Sequence, residues 1–133
     1  MTVFADTSAL LAVLDRSDER QGVARRTWEV LLDGTHTLLC HNYVLVETSA
    51  VLTRRIGIEA VRVFEGDVRP VLRLVWVTPE IHEAAVAAQL AARRRALSLV
   101  DCVSFEVMRR TGLRSAFAFD PHFREFGYDT VEF

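Results

Sequence analysis

Short apolar runs and stretches of helical periodicity alternate along this chain, and the alternation predicts its elements before any residue is assigned a task. Val3 to Ala5 is a short apolar strand ending at Asp6, and Thr7 to Leu14 reads as a short helix. A second helix covers Gly22 to Leu32 and closes at Asp33-Gly34. Thr37 to Cys40 is a second strand, followed by a helix with Asn42 as N-cap that runs to about Arg55, with Gly57 marking its end. Ile58 to about Val68 is again helical, and the β-branched and aromatic run Leu72 to Val77 is a third strand. Thr78-Pro79-Glu80 opens a helix to about Arg95, and Ser98 caps one that runs to Thr111 and stops at Gly112. Ser115 to Phe119 is a fourth strand, Pro121 to Phe126 a helical turn, and Thr130 to Phe133 a weak fifth strand. Strands separated by helices imply βαβ crossovers and a mostly parallel sheet covered on both faces. Trp28 and Trp76 both read as core residues.

Composition narrows the picture. With 133 residues, 50% of them apolar and 26% charged, the chain is long enough for one domain with its own core and too apolar for disorder. No internal repeat or Pro/Gly/Ser-rich linker marks a boundary, so a single domain over 1–133 is expected. MTVFADTSALL lacks a basic leader region and no apolar run approaches the roughly 20 residues of a membrane span, so neither secretion nor insertion is expected. Two cysteines, Cys40 and Cys102, are too few for a disulfide framework and read as reduced thiols, which places the protein in the cytoplasm.

A formal charge of −2 does not advertise a nucleic-acid binder, but its distribution is uneven. All sixteen basic residues are arginine, with runs at Arg25-Arg26, Arg54-Arg55, Arg93-Arg94-Arg95 and Arg109-Arg110. Arginine's planar fork suits bidentate phosphate contact, although solvated helix faces explain such runs equally well. The absence of lysine excludes a Walker-type phosphate loop.

In an open α/β sheet, ligands sit beyond the carboxyl ends of the strands, near the point where strand order reverses. Asp6 follows Val-Phe-Ala and Asp120 follows Ser-Ala-Phe-Ala-Phe, so both acids stand at such ends. Glu47 and Asp101 are lone charges in apolar stretches. Each acid has a bland explanation: Asp6 and Asp120 as N-caps, Asp101 as a partner of Ser98 in a capping box, Glu47 as a rim residue able to pair with Arg54. A capping explanation predicts Ser, Thr and Asn as often as Asp, so four acids together point to a shared task. Converging carboxylates repel and raise one another's pKa unless a cation joins them. All-oxygen ligands favour Mg²⁺ or Mn²⁺, and an open coordination position could activate water against a phosphodiester.

Four segments carry a resemblance: FADTSALLAVLD, VLVETSAVLTRR, LSLVDCVSFEVMRR and SAFAFDPHFREFG. In this order they resemble the segments of a PIN domain, and most of all the VapC-type toxin ribonucleases of bacterial toxin–antitoxin modules. The resemblance implies a three-layer α/β/α fold with a parallel five-stranded sheet of order 3-2-1-4-5. It makes Asp6, Glu47, Asp101 and Asp120 an acidic quartet for one or two Mg²⁺ or Mn²⁺ ions, with Asp6 and Asp101 the firmest ligands. Ser8, and secondarily Thr7, would fix a carboxylate or a water. Glu47 would serve as ligand or as proton acceptor. The implied activity is cleavage of single-stranded or loop RNA (tRNA, rRNA or mRNA), with a VapB-type antitoxin inhibiting the site, homodimers, and toxin–antitoxin hetero-oligomers. Helices between Asn42 and Val68 are the expected dimer interface. Arg93, Arg94 and Arg95 are expected to line the RNA groove, Tyr43 to stack on a base, and His122 to contact RNA or a water.

Competing constellations are weaker. Cys40, His41, Cys102 and His122 lack the short spacings of a zinc site, and the cysteines lie in apolar segments where inert thiols are the rule. Ser8 stands where a haloacid-dehalogenase phosphatase places a second Asp. A non-catalytic PIN-like module that binds RNA or a protein, or a PIN nuclease in RNA processing outside a toxin pair, is the alternative function.

Overall fold

The computed structural model describes residues 1–133. Its elements are β1 (Thr2–Ala5), α1 (Thr7–Leu14), α2 (Gln21–Leu31), β2 (Thr37–His41), α3 (Asn42–Arg55), α4 (Ile58–Val63), β3 (Leu72–Val75), α5 (Pro79–Ala92), α6 (Leu99–Thr111), β4 (Ser115–Phe117), α7 (His122–Glu125) and β5 (Asp129–Thr130). All strand pairs are parallel and the five-stranded sheet runs β3-β2-β1-β4-β5, with helices forming the outer layers of a three-layer α/β sandwich. Two expectations, the layer architecture and the strand order, are met. No helix is long and apolar enough to cross a membrane.

β1 is the central strand, flanked by β2 and β4, and Val3, Phe4 and Ala5 are completely buried. A strand covered on both faces needs an unbroken apolar run rather than an alternating one, which is what its sequence supplies. Phe4 stacks on Phe123 at 6.1 Å and Phe117 on Trp28 at 6.4 Å, so the rings of β1 and β4 anchor α7 and α2 to the sheet. Cys40 and Cys102 are free and buried, and burial pushes both thiols up, so neither is a ready nucleophile.

The strand and helix ends depart from the sequence expectation for identifiable reasons. β3 stops at Val75 rather than Val77 because the Val77 amide donates to Asn42 Oδ1 (2.7 Å) instead of to the ladder. Asn42 is therefore not the N-cap of α3; His41 is, with its Nδ1 accepting from the Val44 amide at 3.3 Å. β4 ends at Phe117 rather than Phe119 because the Phe119 and Asp120 amides turn to the Ser8 hydroxyl. β5 occupies Asp129–Thr130, not Thr130–Phe133, and the Phe133 amide is taken by Thr27 Oγ1 at 2.9 Å. α5 closes at Ala92, with Arg93 in the left-handed region (φ 54°) returning its N–H to Gln89, so the helix does not reach Arg95. The helical stretch after Ile58 widens into a π turn over Phe64–Val68, which buries Phe64 and Val68, and tightens into a 3₁₀ turn at Arg69–Val71. Trp76 is not core: it is 61% exposed just past the end of β3.

His41 is buried and neutral, its pKa pushed down to about 3 by burial. With Nδ1 accepting from Val44, its Nε2 donates to Ser104 Oγ (2.8 Å), which in turn donates to the Val100 carbonyl (3.0 Å). This buried chain ties the start of α3 to α6, and so fixes the helix bearing Glu47 relative to the one bearing Asp101.

Candidate active site

The carboxyl ends of β1 and β4 lie side by side, so Asp6 and Asp120 meet at the same rim of the sheet. Asp6 caps α1: its Oδ2 accepts from the Ser8 amide (3.1 Å) and the Ser8 hydroxyl (2.6 Å). Asp101 forms a capping box with Ser98, its Oδ2 accepting from the Ser98 amide (3.0 Å) while its own amide donates to Ser98 Oγ (3.1 Å). Asp120 Oδ1 accepts from the His122 amide at 2.9 Å. The capping roles read from sequence hold for Asp6 and Asp101, whereas Asp120 is not the N-cap of α7, a position Pro121 takes, and closes a turn with the His122 amide instead; these local roles are compatible with a second one. Each of these three carboxylates spends one oxygen on the local backbone and leaves the other without a protein donor.

Two of these acids converge with His122. One ligand-type atom from each of Asp101, Asp120 and His122 lies within 4.8 Å of the others. His122 Nδ1 stands 2.8 Å from Asp120 Oδ1 and 3.9 Å from Asp101 Oδ2. Its angle to Asp120 is too poor for a hydrogen bond, so Nδ1 is a buried nitrogen with no partner. Asp6 joins the cluster electrostatically. Burial, and then the charges of Asp101 and Asp120, push its carboxyl up to about 7 against the hydrogen bonds from Ser8. Burial likewise raises Asp101, reinforced by Asp120.

Glu47 stands at the margin. It is half-buried on α3, raised mainly by desolvation and then by Asp101 and Asp120, while a hydrogen bond from the Thr7 hydroxyl lowers it. Thr48, buried one residue further on, donates to Thr7 Oγ1 at 3.2 Å, which orients Thr7 toward Glu47. No arginine contributes to Glu47's environment, so the pairing with Arg54 does not form. Thr48 escaped the sequence reading because a buried threonine within an apolar helix face carries no signal of its own.

Ser8 is the hinge of the site. Its hydroxyl donates to Asp6 Oδ2 and accepts from the Phe119 amide (2.9 Å) and the Asp120 amide (3.3 Å), which sets the spacing of the β1 and β4 acids. Ser8→Ala strands the Phe119 N–H and is expected to cost about 1–3 kcal/mol. Urea unfolding of the variant checks this, and an unchanged midpoint would show that the hydroxyl does not join the two strands.

The arginines divide. Arg94 pairs with Glu125 on α7, through Nη1 to Oε1 and Nη2 to Oε2 (3.1 Å). Arg93 holds the left-handed turn, and Arg95 is exposed and outside any ion pair. Arg109 and Arg110 are engaged by Glu106 on their own helix. His122 is buried beside Asp101 and Asp120, while Tyr43 is part-buried with its hydroxyl 2.6 Å from His82 Nδ1. Cys40, His41 and Cys102 do not join His122 in a cluster, so the zinc reading has no geometric support.

A cluster of half-used carboxylates around one partnerless imidazole nitrogen fits a divalent cation. Such a cation would offset the desolvation that chiefly raises Asp6 and Asp101, and the smaller repulsion among the carboxylates.

Known proteins share this fold. Over 131 residues, 97% of each chain, the sequence is 35% identical to the 23S rRNA-specific endonuclease VapC20 of Mycobacterium tuberculosis. The crystal structure of that protein, described as a sarcin–ricin loop cleaving toxin, superposes with a TM-score of 0.86 at 34% identity, covering 98% of both chains. VapBC2 of Rickettsia felis (TM-score 0.68, 9% identity, 98% of both chains) shares the fold. So does FitAcB of Neisseria gonorrhoeae (TM-score 0.67, 13% identity, 98% of this chain and 96% of that one). With the PIN domain model matching residues 3–127 as well, the chain belongs to the PIN-domain family.

Proposed function

We propose that this protein is a divalent-metal-dependent endoribonuclease that cleaves single-stranded or loop RNA, acts in the cytoplasm as the toxin of a toxin–antitoxin pair, and is restrained by a VapB-type antitoxin. The observation that carries the reading is the meeting of Asp101, Asp120 and the partnerless His122 Nδ1 beside a carboxyl, Asp6, that burial holds near neutrality. The 35% identity with a 23S rRNA-specific endonuclease along almost the whole chain supports ribosomal RNA as the substrate.

Asp6, Asp101 and Asp120 would hold the cation, with His122 Nδ1 beside them. When bound, it supplies charge neutralisation and Lewis acidity toward a phosphodiester. The chain's own residues do the rest. Ser8 holds Asp6 and the Asp120 backbone at fixed separation, and the Ser98 box holds Asp101, so the ligands are set before substrate arrives. Glu47, half-desolvated and oriented through Thr7, is placed to accept a proton, its raised pKa bringing it toward the working pH of a general base. Association of two copies through the Asn42–Val68 segment, where Val46, Ile56, Ile58 and Val63 are exposed, belongs to the same proposal and is read by sedimentation.

The test incubates antitoxin-free protein with total RNA and Mg²⁺ or Mn²⁺, beside a chelator control, and maps new ends by sequencing. Discrete chelator-sensitive cuts are the expected result. Intact RNA in both metals would favour a non-catalytic PIN-like module.

A further inference from the structure

The two tryptophans of this chain have opposite fates. Trp28 stacks on Phe117 against the core, whereas Trp76 is 61% exposed. An indole left in water forgoes one of the largest apolar burials available to a side chain, so its place in the fold calls for a physical reason.

That place is the rim that carries the acids. Phe4 is in register with Leu39, and Leu39 with Arg73, so counting forward sets Asp6 level with His41 and Val75. Trp76 therefore stands one residue, about 3.3 Å, beyond the level of Asp6 and two strand spacings, roughly 10 Å, to its side. Its backbone is held on the carboxyl side: the Val77 amide is bound by Asn42 Oδ1 at 2.7 Å, and Thr78 caps α5 by accepting from Ile81. Tyr43, the aromatic that the sequence nominated for stacking, is committed elsewhere. Its ring meets His41 (6.1 Å, 81°) and His82 (5.7 Å, 75°) edge to face, and its hydroxyl is hydrogen-bonded to His82.

Charge alone does not select a base. The protein carries a net −2, its acids cluster at the site, and Arg20, Arg62, Arg69, Arg94, Arg109 and Arg110 are all paired with carboxylates of the same chain. The other ten of the sixteen arginines stand outside these ion pairs and can hold phosphates, but phosphates repeat identically along an RNA, so fixing which nucleotide lies at the acids needs a contact to a base. Base–aromatic stacking is such a contact, and it is open to every base because each has a π face.

We propose that Trp76 is a stacking platform for an unpaired nucleobase of the RNA, a few nucleotides from the phosphodiester at the acidic cluster. The proposal rests on the endoribonuclease reading and adds to it the residue that positions the substrate.

The experiment uses the full chain, an oligoribonucleotide carrying the sarcin–ricin loop, and the variants Trp76→Ala and Trp76→Phe. In EDTA, the RNA is expected to quench tryptophan emission of the wild type and to leave that of Trp76→Phe, which retains Trp28, nearly unchanged. Trp76→Ala is expected to raise Kd about 10-fold or more, with Phe staying within about 3-fold of wild type. Single-turnover cleavage with Mg²⁺ at saturating RNA is expected to be equal in all three. Wild-type Kd and equal quenching in every variant, with cleavage intact, would overturn the stacking role while leaving the nuclease reading in place. A weaker Kd accompanied by a change in sedimentation mass would overturn it in favour of a contact between copies of the chain. A wild type that neither binds nor cuts this RNA, nor cuts total RNA, would overturn both readings.

Discussion

Asp101→Asn is expected to lower metal-dependent RNA cleavage by roughly 10³-fold or more while the protein keeps its fold and thermal stability. The separation of the two effects follows from how Asp101 divides its oxygens. Its Oδ2 serves the Ser98 capping box, and an asparagine carbonyl can accept the same hydrogen bond at the start of α6. The substitution instead removes a negative charge from a cluster in which Asp101 lies within reach of Asp120 and His122 and raises Asp6. A cation at such a site is worth several kcal/mol to a phosphodiester transition state, and each 1.36 kcal/mol is a factor of ten in rate. Single-turnover cleavage of total RNA, set beside thermal unfolding, checks both halves. Full activity in the variant would remove Asp101 from the metal site, and loss of activity together with a collapsed melting temperature would leave the assignment without support.

Asp6→Asn should stabilise the metal-free protein at alkaline pH. Burial pushes the Asp6 carboxyl from 3.8 to about 7, so between about pH 4 and pH 7 the folded state holds a proton that the unfolded chain has released. Stability falls with rising pH wherever the folded state binds more protons, so this contribution is fully present below pH 4 and is lost as pH rises through about 7. At 1.36 kcal/mol per pH unit, the whole window is worth on the order of 4 kcal/mol, with Asp101 and Glu47 shifted in the same direction. Asparagine cannot ionise, yet its carbonyl can still accept from Ser8. Urea unfolding in EDTA should therefore find Asp6→Asn more stable than wild type at pH 8 by about 2–4 kcal/mol, with the two nearly equal at pH 4.5. Adding Mg²⁺ or Mn²⁺ at pH 8 should stabilise the wild type and have little effect on the variant. A variant less stable than wild type at pH 8 would mean that the Asp6 carboxylate is not destabilising in the metal-free fold. The same reasoning extends to the site as a whole: a cluster of desolvated acids costs the metal-free fold stability, a cost that a bound cation would offset.

The predictions at Ser8 and Trp76 probe different links of the same site, one the spacing of its ligands and the other the placing of its substrate. Ser8 was visible in the sequence as a polar residue two positions after Asp6, but its decisive contacts are with the amides of Phe119 and Asp120, more than a hundred residues away. Trp76 ends an apolar, β-branched run, a pattern that predicts a core residue and does not reveal that β3 is an edge strand ending at Val75, which leaves Trp76 past the ladder.

The division between sequence and structure follows from the range of the interactions involved. Local rules sufficed for the elements and the caps: a continuous apolar run for buried β1, Pro79 after Thr78 for α5, the Ser98–Asp101 spacing for α6 and Gly112 for its end. They also sufficed to single out Asp6, Glu47, Asp101 and Asp120, because an acid after a strand or within an apolar stretch is conspicuous wherever the chain later carries it. Local rules could not decide where strands end, since Val77, Phe119 and Phe133 give their amides to the side chains of Asn42, Ser8 and Thr27, partners fixed by topology rather than by spacing. Nor could they show which arginines are spent on carboxylates, that His122 keeps a bare buried nitrogen beside two acids, or that one tryptophan packs while the other stands in water. Burial and electrostatic coupling depend on what surrounds a group in three dimensions, and only the folded chain brings those surroundings together.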